Sequence, residues 1–175
     1  MSERDHLLKL ISDIAVVHGR VTLSSGQEAD YYIDLRRITL HGQAAPLVGR
    51  QLRALTEDWS YDAVGGLTLG ADPVAAAVLH AADGAVDGFV VRKAQKAHGM
   101  QQQIEGPSVA GRRVLIVDDV STTGSSPLTA ARAAEEAGAT VAGVALIADR
   151  GGVHAIRAAG YECRSLFTLA DLGLE

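Results

Sequence analysis

Cysteine is nearly missing from this sequence. Cys163 is its one thiol, so no internal disulfide can form, and the chain fits a reducing compartment such as the cytoplasm. Aromatic residues make up only 4% against 47% hydrophobic residues overall, so the core must be packed with small aliphatic side chains. Positive charge does not dominate either: 16 Lys and Arg stand against 21 Asp and Glu, a net charge of −5. That balance speaks against a nucleic-acid partner held by a basic surface. No apolar run approaches the roughly 20 residues that cross a bilayer, and a start containing Glu3, Arg4 and Asp5 lacks the pattern of a signal peptide. Lysine is absent from Arg113 to the C-terminus, which excludes a Gly-Lys-Ser/Thr nucleotide loop there. Internal repeats and low-complexity linkers are absent as well. The expectation is one soluble, cytoplasmic domain over residues 1–175, with no membrane or nucleic-acid partner.

What is present centres on Arg113 to Pro127. Val114 to Val117 is a continuous apolar run, the pattern of a strand buried on both faces of a parallel sheet. Two adjacent carboxylates, Asp118 and Asp119, follow and are expected to end the strand. Val120 leads into Ser121, Thr122, Thr123, Gly124, Ser125 and Ser126, five hydroxyls and one glycine in six positions. Pro127, with Leu128, Ala131 and Ala134 at helical spacing, predicts a helix beginning at that proline. Strand, polar loop and helix N-terminus together make an anion site, because unpaired backbone N–H groups and the helix dipole converge there. Two acids beside a phosphate cradle point to a ligand that is part phosphate and part hydroxyls. Taken alone, the loop reads more readily as a turn rich in cap formers with two solvated acids, because Ser and Thr cap helices freely.

Along the chain, Ser2 to His18 predicts an amphipathic helix, with Ser2 and Asp5 as a capping pair, a stripe of Leu7, Leu10, Ile11 and Ile14, and Gly19 as its stop. Val21–Leu23 and Tyr31–Leu35 are expected as short strands around a Ser24-Ser25-Gly26-Gln27 turn. Leu40 to Leu55 predicts a helix with Leu47, Val48 and Leu52 inward. From Tyr61 the pattern alternates: strand 62–66, helix 72–82, strand 88–92, a polar loop or extended hairpin over 93–108, strand 113–117, helix 127–137, strand 140–148, helix 152–159 and strand 162–167. Such alternation means an α/β fold, a mainly parallel sheet flanked by helices. Residues 1–35 stand outside that order and are expected to cap one end of the sheet.

Ligands of an open parallel sheet sit beyond the carboxyl ends of its strands, so the loops leaving that edge should converge. Gly65 to Pro73 is a glycine-rich turn that either brings backbone close to a ligand or simply starts a helix at Asp72-Pro73. Arg92, Lys93, Lys96 and His98 crowd into seven residues with no acid among them, which suits an anionic group, although charge runs are commonly solvated loops. Arg150 follows an apolar strand and could make a planar contact with a carboxylate or pair with Asp149. Tyr31 and Tyr32 are either core residues or a ligand-facing pair. His18, His41, His80 and His154 show no metal-ligand spacing.

The string from Arg113 to Ser126 resembles the signature by which type I phosphoribosyltransferases bind 5-phosphoribosyl 1-diphosphate (PRPP): apolar strand, Asp-Asp, then a Thr-Thr-Gly loop. Gly65 to Pro73 resembles the pyrophosphate loop of that family. Within it, the Ser25-Gly26 turn ahead of Tyr31-Tyr32, the run Arg92-Lys93 with Lys96 and His98, and Asp149-Arg150 resemble the branch that acts on orotate. Five motifs thus fall in order between Val21 and Gly152. Two departures occur: Ser24 stands where many members carry a lysine, and Ala29-Asp30 replace a frequent Ser-Pro.

The resemblance implies a type I phosphoribosyltransferase fold in which residues 1–35 form a hood. It implies a Mg²⁺-dependent transfer, in which PRPP and orotate give orotidine 5′-monophosphate and pyrophosphate, a step of pyrimidine (UMP) biosynthesis. Asp118, Asp119, Lys96 and His98 are then catalytic. Arg92, Lys93, Lys96 and His98 hold the pyrophosphate, and Asp118 through Ser126 the rest of PRPP. Thr122 and Arg150 contact orotate, with Tyr31 and Tyr32 beside them. No protein ligand to the magnesium is assigned. The resemblance also implies a homodimer whose basic loop works on the neighbouring subunit's site. Two rivals are weighed against this: an enzyme for a purine or uracil, disfavoured by Arg150 and the Ser-Gly…Tyr-Tyr hood, and a non-catalytic nucleic-acid regulator, disfavoured by the intact basic loop.

Overall fold

The computed structural model describes residues 1–23, 25–94 and 102–175. The chain runs α1 (Glu3–Leu10), a π-helical turn (Ile11–Ala15), β1 (Val16–Thr22), β2 (Glu28–Ile33), α2 (Arg36–Thr39), α3 (Ala44–Leu55), β3 (Ala63–Leu67), α4 (Ala71–Ala81), β4 (Asp87–Val91), β5 (Ile104–Glu105), β6 (Arg113–Ser121), α5 (Ser125–Glu136), β7 (Thr140–Asp149), α6 (Gly152–Ala158) and β8 (Cys163–Thr168). Six strands form one sheet in the order β5-β4-β3-β6-β7-β8, and β1 and β2 form a separate hairpin. All neighbours in the large sheet are parallel except β5, which runs antiparallel to β4. No helix among the described residues is long and apolar enough to cross a membrane.

The apolar run of β6 shows why the sheet is covered twice. Leu115 and Val117 point into a core shared with Leu47, Val48 and Leu52 of α3 and Val74 and Val78 of α4. Val114 and Ile116 point the opposite way, against Ala130, Ala131 and Ala134 of α5 and Ile156 of α6. All four are fully buried. Alternation with period two sends successive side chains to opposite faces, and each buried branched side chain contributes about 1.5–3 kcal/mol. The first core also takes in Leu7, Ile11, Ala15, Ile33 and Leu35, so the N-terminal segment packs into the main core while, among the described residues, its hairpin forms a two-stranded sheet of its own.

β3, α4, β4, β7, α6 and β8 lie within one residue of their expected limits. Elsewhere the structure corrects the sequence reading. The first helix does not reach His18: it closes through a π turn at Ala15, and Val16, Val17 and His18 pair with Ile33, Tyr32 and Tyr31. β-branched Val16 and Val17 favour that strand. Gly19 is therefore no helix stop; at φ 132° it sits where the hairpin register shifts between His18 and Val21. The capping box of Ser2 and Asp5 is present as expected. The expected helix from Leu40 begins late, since α3 starts only at Ala44, where His41 Nδ1 accepts from the N–H groups of Gln43 and Ala44. The expected strand end at Val117 is also wrong. β7 is long enough to pair with Asp118, Val120 and Ser121, so both acids belong to the strand. Pro127 is the third residue of α5, not the first, which costs no hydrogen bond because the first four N–H groups of a helix have no partner within it. Of the two readings for 93–108, the hairpin holds where it is described: β5 pairs with Val90 and Val91, and the Arg92 N–H donates to Gln103 O at 2.7 Å.

Candidate active site

β3 lies between β4 and β6, so the chain leaves β3 toward one side and returns on the other. A crevice opens at the carboxyl ends of strands where such a reversal occurs. There the structure has a cleft of about 420 Å³. One wall is the loop Thr68, Leu69 and Gly70 after β3, and another is Asp118, Asp119 and Val120 at the end of β6 with Ser126 of α5. Lys93, Arg150 and the stretch Tyr32 to Arg36 complete it.

Asp118 is buried, at 6% exposure, and its Oδ1 accepts the Asp119 N–H at 2.9 Å. Asp119 Oδ1 in turn accepts the Val120 N–H at 2.7 Å. Both acids face Gly70: a Cβ built there would lie 3.0 Å from Asp119 Oδ1 and 3.2 Å from Asp118 Oδ1. Glycine at 70 is what lets the β3 loop approach the acid pair. Burial, followed by the charge of Asp119, pushes the Asp118 carboxyl up to about 8. The native state then binds a proton that the unfolded chain releases near pH 4, so stability falls as pH rises from about 4 to about 8. Asp118→Asn should therefore raise the melting temperature of the free protein more at pH 9 than at pH 5. A gain of about 2–4 °C is expected for each kcal/mol of relieved cost. Thermal melts at both pH values check this, and an equal shift at both would show that the carboxyl titrates normally.

The hydroxyl loop is shaped by its own side chains. Ser121 is buried and its Oγ accepts the Gly124 N–H at 3.0 Å, while Thr123 Oγ1 accepts the Ser125 N–H at 3.3 Å. Gly124 takes the left-handed conformation, φ 79°, that turns the loop into α5. Thr122, Thr123 and Ser125 are exposed. With Ser126 on the cleft wall, the loop is an open cradle at a helix N-terminus, suited to a phosphate.

Arg150 is tied to this cradle by its backbone, its N–H donating to Ser121 O at 2.9 Å, and its guanidinium lies 5.1 Å from the centre of the Tyr31 ring. Among the described residues it has no ion pair with Asp149, whose Oδ1 instead accepts the N–H groups of Gly151 and Val153 at the start of α6. Of the sequence-predicted residues, Tyr32, Lys93, Asp118, Asp119, Val120, Ser126 and Arg150 meet at the cleft. Tyr31 stands behind Arg150, and Ser121 and Gly124 lie behind the cradle. Arg92 turns away to Glu105 at 3.5 Å, an acid that lies outside the basic run and is brought to it by the returning strand β5. Lys96, His98 and Ser24 lie outside the described residues.

The sequence reading passed over Asp34 and Arg36, which line the cleft. Asp34 holds Arg36 at 3.4 Å and Arg37 at 3.6 Å, and this bond, with Tyr32 adding to it, raises the Arg36 guanidinium above its ordinary value. The signal was an Asp followed by Arg36-Arg37 in an acidic chain. It also named no site residue within Thr68 to Gly70, although it recognised the loop. Among the described residues no three His, Cys, Asp or Glu side chains stand together to hold a metal ion.

Comparison with known proteins agrees with this geometry. The phosphoribosyl transferase domain family matches residues 37–166. The orotate phosphoribosyltransferase of Mycobacterium avium is 59% identical over 174 residues, 98% of this chain and 97% of its own length. The crystal structure of the Mycobacterium tuberculosis orotate phosphoribosyltransferase with Fe(III) dicitrate superposes with a TM-score of 0.91 at 58% identity, covering 99% of this chain and 100% of that one. The same enzyme in complex with PRPP gives a TM-score of 0.88 at 52% identity, covering 99% and 100%.

Proposed function

This chain belongs to the phosphoribosyl transferase family and has the activity of an orotate phosphoribosyltransferase, a pentosyltransferase of pyrimidine biosynthesis, and we propose how its cleft performs that reaction. The observation that carries the reading is the meeting of Asp118 and Asp119 with Gly70 across one cleft, between a phosphate cradle and Arg150. The 5′-phosphate of PRPP lies in the cradle of Ser121 to Ser126, held by hydroxyls and the N-terminus of α5. Asp118 and Asp119 face the ribose hydroxyls. As the bond from C1 to the pyrophosphate oxygen breaks, its electron pair leaves with pyrophosphate and the sugar becomes cationic. The acid pair stabilises that charge most when it is greatest, because positive charge on the sugar also favours the ionised form of Asp118, which burial keeps protonated up to about pH 8 in the free protein. Orotate N1 then bonds to C1 and gives up its proton to the departing pyrophosphate or to solvent, while Arg150 and Thr122 hold the base. Lys93, with Lys96, His98 and an Arg92 that exchanges Glu105 for the anion, neutralises the departing pyrophosphate.

Magnesium is part of the proposal. Two adjacent carboxylates, with no third acid, His or Cys clustered on them among the described residues, fit an ion held chiefly by substrate oxygens, and when bound it would screen the charge of the diphosphate. Residues 1–175 act as one domain, with 1–35 as a hood whose Tyr32 and Asp34 reach the cleft. The cytoplasm is its compartment. Cys163, buried and with its thiol pushed up to about 12 by that burial, suits a protein that uses no thiol chemistry. The test of function is loss of orotate absorbance with PRPP and Mg²⁺, run beside hypoxanthine, adenine and uracil. Faster consumption of any of those bases would overturn the assignment of orotate.

The active assembly is a homodimer in which Lys96 works beside the other subunit's acid pair. An apolar groove next to the cleft, bordered by Leu40, Pro46, Leu69 and Pro73, supports a second copy there: Leu40 is 73% and Leu69 61% exposed, and Leu69 borders cleft and groove alike. Mixing Lys96→Ala protein with Asp118→Asn/Asp119→Asn protein, each inactive alone, should restore roughly a quarter of wild-type sites after random subunit exchange in a two-fold dimer. No recovery despite proven exchange would mean that the loop serves its own subunit.

A further inference from the structure

The loop between β3 and α4 is shaped from behind the cleft. Thr68 is held at two points: its N–H donates to Val91 O at 2.9 Å, and its hydroxyl donates to Asp72 Oδ2 at 2.6 Å. Asp72 is the second residue of α4, where the helix dipole favours a negative charge, and its own N–H donates to Leu69 O at 3.2 Å. Thr68, Leu69 and Gly70 line the cleft, whereas Asp72 borders the apolar groove on the far side of the loop. The other carboxylate oxygen of Asp72, Oδ1, is buried without a hydrogen-bond partner. That unpartnered buried acceptor costs the fold and offsets part of what the helix dipole and the Thr68 bond contribute. In contrast to Thr68, the N–H groups of Leu69 and Gly70 donate to no acceptor among the described residues.

We propose that Asp72 is a positioning residue for phosphoribosyl transfer: through the Thr68 hydroxyl it locks the loop so that the Leu69 and Gly70 N–H groups are presented to the diphosphate of PRPP. Asp72 itself touches no substrate. A fixed loop makes its donors available without reordering on binding, and two free N–H groups at a cleft wall suit an oxyanion. This inference rests on the cleft being the PRPP site.

The test is a double-mutant cycle on Asp72→Ala and Thr68→Val, read as KM for PRPP, KM for orotate, kcat, and the Kd of inorganic pyrophosphate by calorimetry. Each single change should raise the PRPP KM and the pyrophosphate Kd roughly three- to tenfold, the scale of one lost hydrogen bond, with the orotate KM within about twofold. The double variant should be no worse than the weaker single, because both remove the same link. Thr68→Ser keeps the hydroxyl and Asp72→Asn keeps an acceptor, so both should stay near wild type. They also keep the test decisive if Asp72→Ala folds poorly. Multiplying effects, an unchanged PRPP KM, or an equal rise in the orotate KM would overturn the role. A wild-type protein that fails to convert orotate with PRPP would refute the functional reading itself; an active wild type with insensitive variants would refute only the positioning role.

Discussion

The double variant Asp118→Asn/Asp119→Asn is expected to lose roughly a hundredfold or more in kcat, while its Kd for PRPP changes less than about tenfold. The split follows from when the carboxylates matter. Bound PRPP offers them neutral hydroxyls, and an amide can still exchange hydrogen bonds with a hydroxyl. In the transition state the ribose carries positive charge, and only a carboxylate answers that charge. The site is built to make the difference large, for Asp118 is only 6% exposed and water screens it poorly. Steady-state turnover together with a PRPP binding titration decides the matter. Turnover near the wild-type rate would remove the acids from the chemistry, and an equal loss of PRPP affinity would make them ground-state contacts.

Arg150→Ala should raise the KM for orotate ten- to a hundredfold and leave PRPP affinity nearly intact. One charge-assisted contact to an anionic base is worth about 1.5–3 kcal/mol, which is that range of affinity. The guanidinium is aimed before any ligand arrives: the Tyr31 ring lies 5.1 Å from it, and its backbone N–H is fixed on Ser121 O. Orotate KM and PRPP Kd measured on the same preparation check the prediction. Should PRPP binding fall by the same factor, Arg150 would belong to the phosphate cradle to which its backbone is bonded. Tyr31→Leu should act in the same direction with a smaller effect, since it removes the support and keeps the charge.

Sequence and tertiary structure divide this protein along a physical line. Periodicity was legible wherever one element buries a regular face: the run Val114–Val117, the helix stripe of Leu47, Val48 and Leu52, and the alternation from β3 to β8. Motif chemistry was legible too, since Asp118-Asp119 and the hydroxyl loop carry their meaning in neighbouring residues. Limits set by a distant partner were not. β6 runs on through Asp118 to Ser121 because β7 supplies pairing partners more than twenty positions away, and the first helix stops at Ala15 because Val16 to His18 pair with β2. Side-chain partners were equally hidden: Arg92 goes to Glu105 on a returning strand, Tyr31 goes behind Arg150, and Asp34 with Arg36 reaches the cleft from the hairpin side. Local sequence by itself determined which residues could bind phosphate, ribose and an anionic base. Only the tertiary structure decided which of them share a cleft, because burial and long-range pairing, not sequence neighbours, set the direction of each side chain and the high pKa of Asp118.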